Sequence, residues 1–175
     1  MLLLPLLMLC MKHQINDLPK KIQKKVDKEL KATFEGQTPS LISFLIDTEI
    51  QKSLDAPFGD SNFFKIQSEA DKTIGYAYIG SSLGKTDMFD YLIIFDKELS
   101  ILRSKILIYR EDYGGEIGSR RWLKQFEGKS FNSRILDSGD IMAISGATIS
   151  VNAMTAAVND VLYSLKNLKE KGIFE

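Results

Sequence analysis

Apolar residues recur every four positions at Ile22, Val26, Leu30 and Phe34, with lysine at most positions between them, so the spacing predicts an amphipathic helix after Asn16-Asp17-Leu18-Pro19. From Ser40 to Leu54, SLISFLIDTEIQKSL sets Leu41, Phe44, Leu45, Thr48 and Ile50 in a broadly helical pattern. It reads as a second helix, although LISFLI taken alone also suits a buried strand. The period then changes. Asn62–Ser68 and Thr73–Ile79 are short runs rich in aromatic and β-branched residues, separated by the polar stretch Glu69-Ala70-Asp71-Lys72, and read as a hairpin. A second antiparallel pair follows in Met88–Phe95 and Ser100–Tyr109, joined at Asp96-Lys97-Glu98.

Arg110–Gly118 is a loop by composition, with Gly114 and Gly115 side by side. A short helix is expected over Ser119–Glu127, ended by Gly128, and short strands over Phe131–Leu136 and Ile141–Ile144 around the turn Asp137-Ser138-Gly139-Asp140. The last helix is expected from about Val151. Its apolar stripe is Val151, Met154, Ala157, Val158, Val161, Leu162, Leu165 and Leu168, and Lys166, Lys169 and Lys171 lie near its C-terminal end, where the helix dipole favours cations. The sum is an α+β fold, an antiparallel sheet of hairpins flanked by N- and C-terminal helices. No internal repeat or linker divides it.

Composition narrows the chemistry. The chain has 175 residues, with 23 Lys+Arg against 23 Asp+Glu, and 44% of its residues are hydrophobic. That suits one globular domain and lacks the basic excess that duplex nucleic acid demands. The single Cys10 and single His13 both fall in the first fourteen residues. The body therefore lacks the ligands of a structural zinc, a c-type haem attachment run, and the histidine of a Ser-His-Asp or Cys-His catalytic set. Glu111, Asp112 and Glu116 have no EF-hand-like spacing, so no metal site is assigned.

Met1–Met11 reads MLLLPLLMLCM, too short for a membrane-spanning helix of about 20 residues but of a length with the apolar region of a secretory signal. Residues 1–18 read either as the remnant of a signal or membrane anchor or as a buried or disordered N-terminus, residues 19–61 as a helical lead-in, and residues 62–175 as the functional domain. Lys20, Lys21, Lys24, Lys25, Lys28 and Lys31 form either a solvated helix face or a face toward anionic lipid.

The stretch Ile144-Ser145-Gly146-Ala147-Thr148-Ile149-Ser150 is a strand-to-helix junction of small and hydroxyl residues. Two readings stand. Unpaired amides and the positive dipole end at the start of the last helix suit a phosphate group, with Gly146 and Ala147 permitting close approach. Alternatively, Thr148 or Ser150 is simply an N-cap.

Ser145-Gly146-Ala147-Thr148 resembles the flavinylation motif of the FMN-binding domain family, which includes the flavin-carrying subunits of the sodium-translocating NADH:quinone reductase and of the Rnf electron-transport complex. The resemblance extends over Phe89-Asp90-Tyr91 to Phe95-Asp96, Tyr109-Arg110-Glu111-Asp112-Tyr113-Gly114-Gly115-Glu116-Ile117 and Trp122–Lys129, in the family's order. It implies FMN joined through its phosphate to the hydroxyl of Thr148 by a flavin transferase acting outside the cytoplasm. Ser145, Gly146, Ala147, Ile149 and Ser150 would lie around that attachment point. Glu111, Tyr113, Gly114 and Gly115 match a loop that resembles the family's flavin-contacting loop, or else form a solvated acidic turn. Trp122 either covers the ring or belongs to the core. One departure is Met142, where the family usually has an Asp six residues before the acceptor; Asp140 lies two residues further upstream.

The resemblance implies an extracytoplasmic flavoprotein that carries electrons between membrane redox partners, the flavin doing the redox chemistry. Alternatives are a flavin subunit of a larger NADH:quinone reductase-type membrane complex, or a non-redox structural domain. No G-x-G-x-x-G opens a βαβ unit, so no dinucleotide site is assigned to this chain.

Overall fold

In a computed structural model of the chain, the described residues are 18–59, 61–133 and 140–174. The apolar run at Met1–Met11, Cys10 and His13 lie outside them. Five strands, β1 (Ser40–Ser43), β2 (Phe63–Gln67), β3 (Thr73–Leu83), β4 (Met88–Phe95) and β5 (Ile101–Ile108), form one antiparallel sheet in sequential order. Helix α1 (Lys20–Thr33) covers one face and the long C-terminal helix α4 (Thr148–Glu170) lies against the other. This is the expected α+β architecture.

The layering explains the sequence of β4. MFDYLIIF runs apolar without alternation because Leu92 and Ile94 face the α1 side while Tyr91, Ile93 and Phe95 face the α4 side, and all five are buried. On the α1 side, Val26 and Leu30 pack against Phe64, Ile66, Ala77 and Leu107. The polar edge of that contact is ionic. Glu29, 9% exposed, meets Arg103 at 3.1 Å and Lys105 at 3.6 Å, and the Lys25 ammonium donates to the Leu107 carbonyl.

Residues 40–54 do not form one helix. Ser40–Ser43 pairs with β2, and its period of two sends Leu41 to the α1 side while the following Phe44 stacks on Phe63, with ring centroids 5.4 Å apart, on the α4 side. The ladder with β2 supplies backbone partners that local helical spacing could not reveal. Only Thr48–Gln51 is helical (α2), started by the Asp47 carboxylate accepting from the Glu49 N–H at 2.8 Å.

The expected helix over Ser119–Glu127 is present as α3 (Arg120–Leu123) running into a 3₁₀ turn at Lys124–Phe126. The expected strand over Ile141–Ile144 is absent. Met142 is held by side chains instead, its N–H donating to Gln125 Oε1 at 2.7 Å and its carbonyl accepting from Trp122 Nε1 at 2.8 Å. Of the strand expected over Phe131–Leu136, Phe131–Ser133 is a turn closed by Ser133 N–H donating to the Ser130 carbonyl, and residues 134–136 lie outside the described part, as do 137–139.

Helix α4 starts three residues earlier than expected, at Thr148. Its buried stripe of Val151, Met154, Val158, Val161, Leu162, Leu165 and Leu168 packs on the aromatic face of the sheet. Ser164 Oγ accepts from the Ala56 N–H at 2.9 Å, tying the lead-in to the helix. These contacts fix where the start of α4 sits, between the end of β5 and the β3–β4 turn.

Candidate functional site

The start of α4 opens into a cleft of about 400 Å³. One wall is the helix start, residues 146–150; the other comes from Lys85 in the β3–β4 turn and from Tyr109, Glu111 and Tyr113 beyond β5. The loop after β5 and the SGAT segment, far apart in sequence, are thus brought to one place.

At the helix start the N-cap is Ala147, with no side-chain cap. This overturns the reading of Thr148 or Ser150 as an N-cap. Thr148 is the first helical residue and exposed, so its hydroxyl is not committed to capping. The first amides of the helix have no intrahelical acceptor and carry the positive end of the dipole. Ile149 is 52% exposed on the same cleft, whereas Ser150 is buried. The Tyr109 hydroxyl donates to the Tyr113 carbonyl at 2.9 Å and lies 3.1 Å from Ser150 Oγ. With the phenolic proton used on Tyr113, the Ser150 hydroxyl donates to Tyr109. One tyrosine therefore ties the loop to the helix.

The two adjacent glycines have different roles. Gly114 has φ +79°, and a methyl at its Cα would meet the Ala147 Cβ at 2.6 Å and the Tyr109 hydroxyl at 3.0 Å, so the loop backbone rests directly on the SGAT segment. A methyl at Gly115 would meet nothing within 4 Å. Gly115 begins a 3₁₀ turn (Gly115–Gly118) and does not line the cleft.

Glu111 is a clamp on the β3–β4 turn. Its Oε1 accepts from the Thr86 N–H at 2.7 Å and the Asp87 N–H at 3.1 Å, and its Oε2 accepts from the Thr86 hydroxyl at 2.8 Å. These bonds, the Thr86 N–H foremost, hold its pKa below the ordinary carboxylate value. Gly84 lets the carboxylate come this close, since a methyl there would lie 2.5 Å from Oε1. The reading of Glu111 as part of a merely solvated acidic turn is thereby replaced by a specific structural bond.

Trp122 does not cover the cleft. It is 4% exposed, its indole nitrogen bonds the Met142 carbonyl, and it packs edge-on against Phe126 with ring centroids 5.3 Å apart. Its core reading stands, and Met142 is held by backbone bonds with its side chain 64% exposed. Ser145 is exposed in the turn before the helix and does not line the cleft. Sequence reasoning missed Lys85 and gave no role to Tyr109. The only local signal for Lys85 was its place in the turn Gly84-Lys85-Thr86-Asp87 between two strands.

A second cavity, about 190 Å³, lies between β3 and α4 and is lined in part by Asp55, Tyr78, Tyr91 and Asp160. Its tyrosines satisfy one another: Tyr78 and Tyr91 share a hydrogen bond and the Tyr78 hydroxyl donates to the Pro57 carbonyl at 3.0 Å. Burial pushes the Tyr78 phenol up to about 12.

The main cleft thus offers an exposed hydroxyl, free helix-start amides, one ammonium and flanking aromatic and aliphatic surface, which fits a phosphate-bearing ligand with a flat apolar body. No curated protein matches the chain. Residues 84–163 match the FMN-binding domain family. This span holds every residue of the cleft, from Lys85 to Ser150. Residues 84–163 are therefore similar to an FMN-binding domain, and that similarity supports FMN as the ligand of this cleft.

Proposed function

We propose that FMN is carried covalently on Thr148, as a phosphoester to its hydroxyl, and that the protein is an extracytoplasmic electron carrier between membrane redox partners. The observation that carries this reading is the exposed Thr148 hydroxyl at the mouth of the cleft, on a helix start whose cap is Ala147. Bound there, the flavin supplies the redox chemistry that a body without Cys or His lacks.

In the attachment step the Thr148 oxygen bonds to phosphorus on the donor held by a flavin transferase. The hydroxyl proton is lost and the donor's leaving group departs with the bonding pair, for a net gain of FMN minus water. The diester keeps one negative charge, which the first amides of α4 favour. Ile149 and Tyr113, both exposed on the cleft, offer apolar surface to the ring, and the Tyr109 bonds hold the two walls in register. The apolar run at Met1–Met11 supports export or anchoring at the membrane, where the transferase and the membrane electron-transfer partners would be met.

The test is intact mass and peptide mapping of protein exported together with a flavin transferase. The expected result is FMN minus water on the peptide containing Thr148, lost in Thr148→Ala. An unmodified chain, or a flavin on another residue, would overturn the assignment.

A further inference from the structure

The outer face of α1 is more cationic than its sequence shows. Lys20, Lys21, Lys24, Lys28 and Lys31 are all exposed, and among the described residues none of them makes an ion pair. The two acids of the helix are drawn away from this row. Glu29 is buried against the sheet with Arg103 and Lys105, and the half-buried Asp27 accepts from the Gln23 side-chain amide at 2.7 Å. Apolar surface stands on the same side of the sheet. Leu83 and Met88, paired across the end of β3 and β4, are both exposed. Ile79 and Leu92, four residues away along each strand, pack under α1, so the alternation of strand faces sets Leu83 and Met88 on the side that carries α1. The helix begins near them: Glu29 meets Arg103, Lys25 reaches Leu107 close to the end of β5, and Lys20, Lys21 and Lys24 therefore lie toward the end of the sheet where β3 stops and β4 starts. That hairpin end adds no net charge, because Asp90 pairs with Arg110 at 2.7 Å and the exposed Lys85 and Asp87 offset one another.

Lysines beside exposed aliphatic side chains complement a bilayer surface with anionic headgroups, which takes the ammonium groups at its phosphates and the apolar side chains just beneath. We propose that the lysine face of α1, with Leu83 and Met88, is a contact surface for anionic lipid. The chain favours lipid over another anionic partner. Residues 12–19 join the apolar run Met1–Met11 to α1, a span of at most about 30 Å when fully extended, so a membrane that takes up the run lies within reach of the lysines. The inference rests on the membrane location proposed above and not on the flavin linkage. It adds an orientation: the turn between Leu83 and Met88 carries Lys85, part of one wall of the cleft, so lipid contact there stations the cleft beside the membrane surface.

The experiment is flotation of the full chain with vesicles of phosphatidylcholine and with vesicles of phosphatidylcholine and phosphatidylglycerol in equal parts. Uptake of the apolar run is common to both, whereas the lysine face gives a surplus on the anionic vesicles that salt removes. The triple variant Lys20→Gln, Lys21→Gln, Lys24→Gln should weaken binding to the anionic vesicles about a hundredfold, at about fivefold for each lysine, and leave binding to phosphatidylcholine unchanged. A nitroxide at Leu83→Cys, in a Cys10→Ser chain, should lose access to a water-soluble nickel chelate on anionic vesicles. One at Leu45→Cys, exposed just beyond β1 at the opposite edge of the sheet, should keep it. Equal affinity for the two vesicles, an undiminished surplus in the triple variant, or a label at position 83 as accessible on vesicles as in solution would each overturn the proposal. A label there already shielded without vesicles would overturn it too, since the chain's own N-terminal residues would then be the occupant. Flavin on Thr148 is read separately by mass, so any of these failures leaves the attachment site standing.

Discussion

Substituting alanine at each of two neighbouring glycines tests whether the loop after β5 is packed on the helix start. At Gly114 the new methyl meets two obstacles. The backbone φ of +79° is a left-handed conformation that costs an L-residue about 1–2 kcal/mol. The methyl would also lie 2.6 Å from the Ala147 Cβ and 3.0 Å from the Tyr109 hydroxyl, an overpacking worth about 1–3 kcal/mol. The sum, about 2–5 kcal/mol, is a large fraction of the roughly 5–15 kcal/mol that holds a domain folded. At a urea m-value of about 2 kcal/mol/M the unfolding midpoint should fall by about 1–2.5 M. Gly115→Ala meets nothing within 4 Å and should stay within about 0.5 kcal/mol of the unsubstituted chain. The assay is urea unfolding followed by far-UV circular dichroism, with flavin labelling of the folded variants as a second readout. Relief of the clash moves Ala147 and with it the cap of α4, so labelling should slow in Gly114→Ala only. Equal midpoints for the two variants, or a loss under about 1 kcal/mol at Gly114, would refute the packed loop.

Trp122→Phe should cost about 2–3 kcal/mol, from the lost bond to the Met142 carbonyl and the void beside Phe126, while the absorption spectrum of flavin-loaded protein stays unchanged; a spectral shift would return Trp122 to the cleft. Glu29→Ala should destabilise by about 1.5–3 kcal/mol in chemical denaturation, because Arg103 loses its charged partner under α1, and adding Arg103→Met should recover part of the loss. Glu111 gives a pH dependence of known sign. Its pKa is lower folded than its ordinary 4.5, so its contribution is complete well above pH 4.5 and is lost as pH falls through the lowered folded value. Thermal unfolding of Glu111→Gln between pH 3 and pH 7 should therefore show a flatter acid limb than the parent, and parallel limbs would contradict the clamp.

The alternation and helical spacing of apolar residues determined α1, both hairpins, the apolar stripe of α4 and hence the α+β class, because burial on a strand or helix face leaves a period in the chain itself. The resemblance in the SGAT segment and the loop after β5 likewise marked the two stretches that form the cleft, without saying how they meet. Position in space was beyond the sequence. Ser40–Ser43 became a strand because β2 offered its edge, and Ile141–Ile144 stayed irregular because Trp122 and Gln125 bound Met142. Gly114 and Gly115 look alike in sequence, yet one rests on Ala147 and the other faces open space. Lys85 lines the cleft from a turn that Glu111 binds across about 25 residues of sequence. Local periodicity records which faces are apolar; which polar groups meet is decided by the packing of distant segments, and that arrangement leaves no period to read.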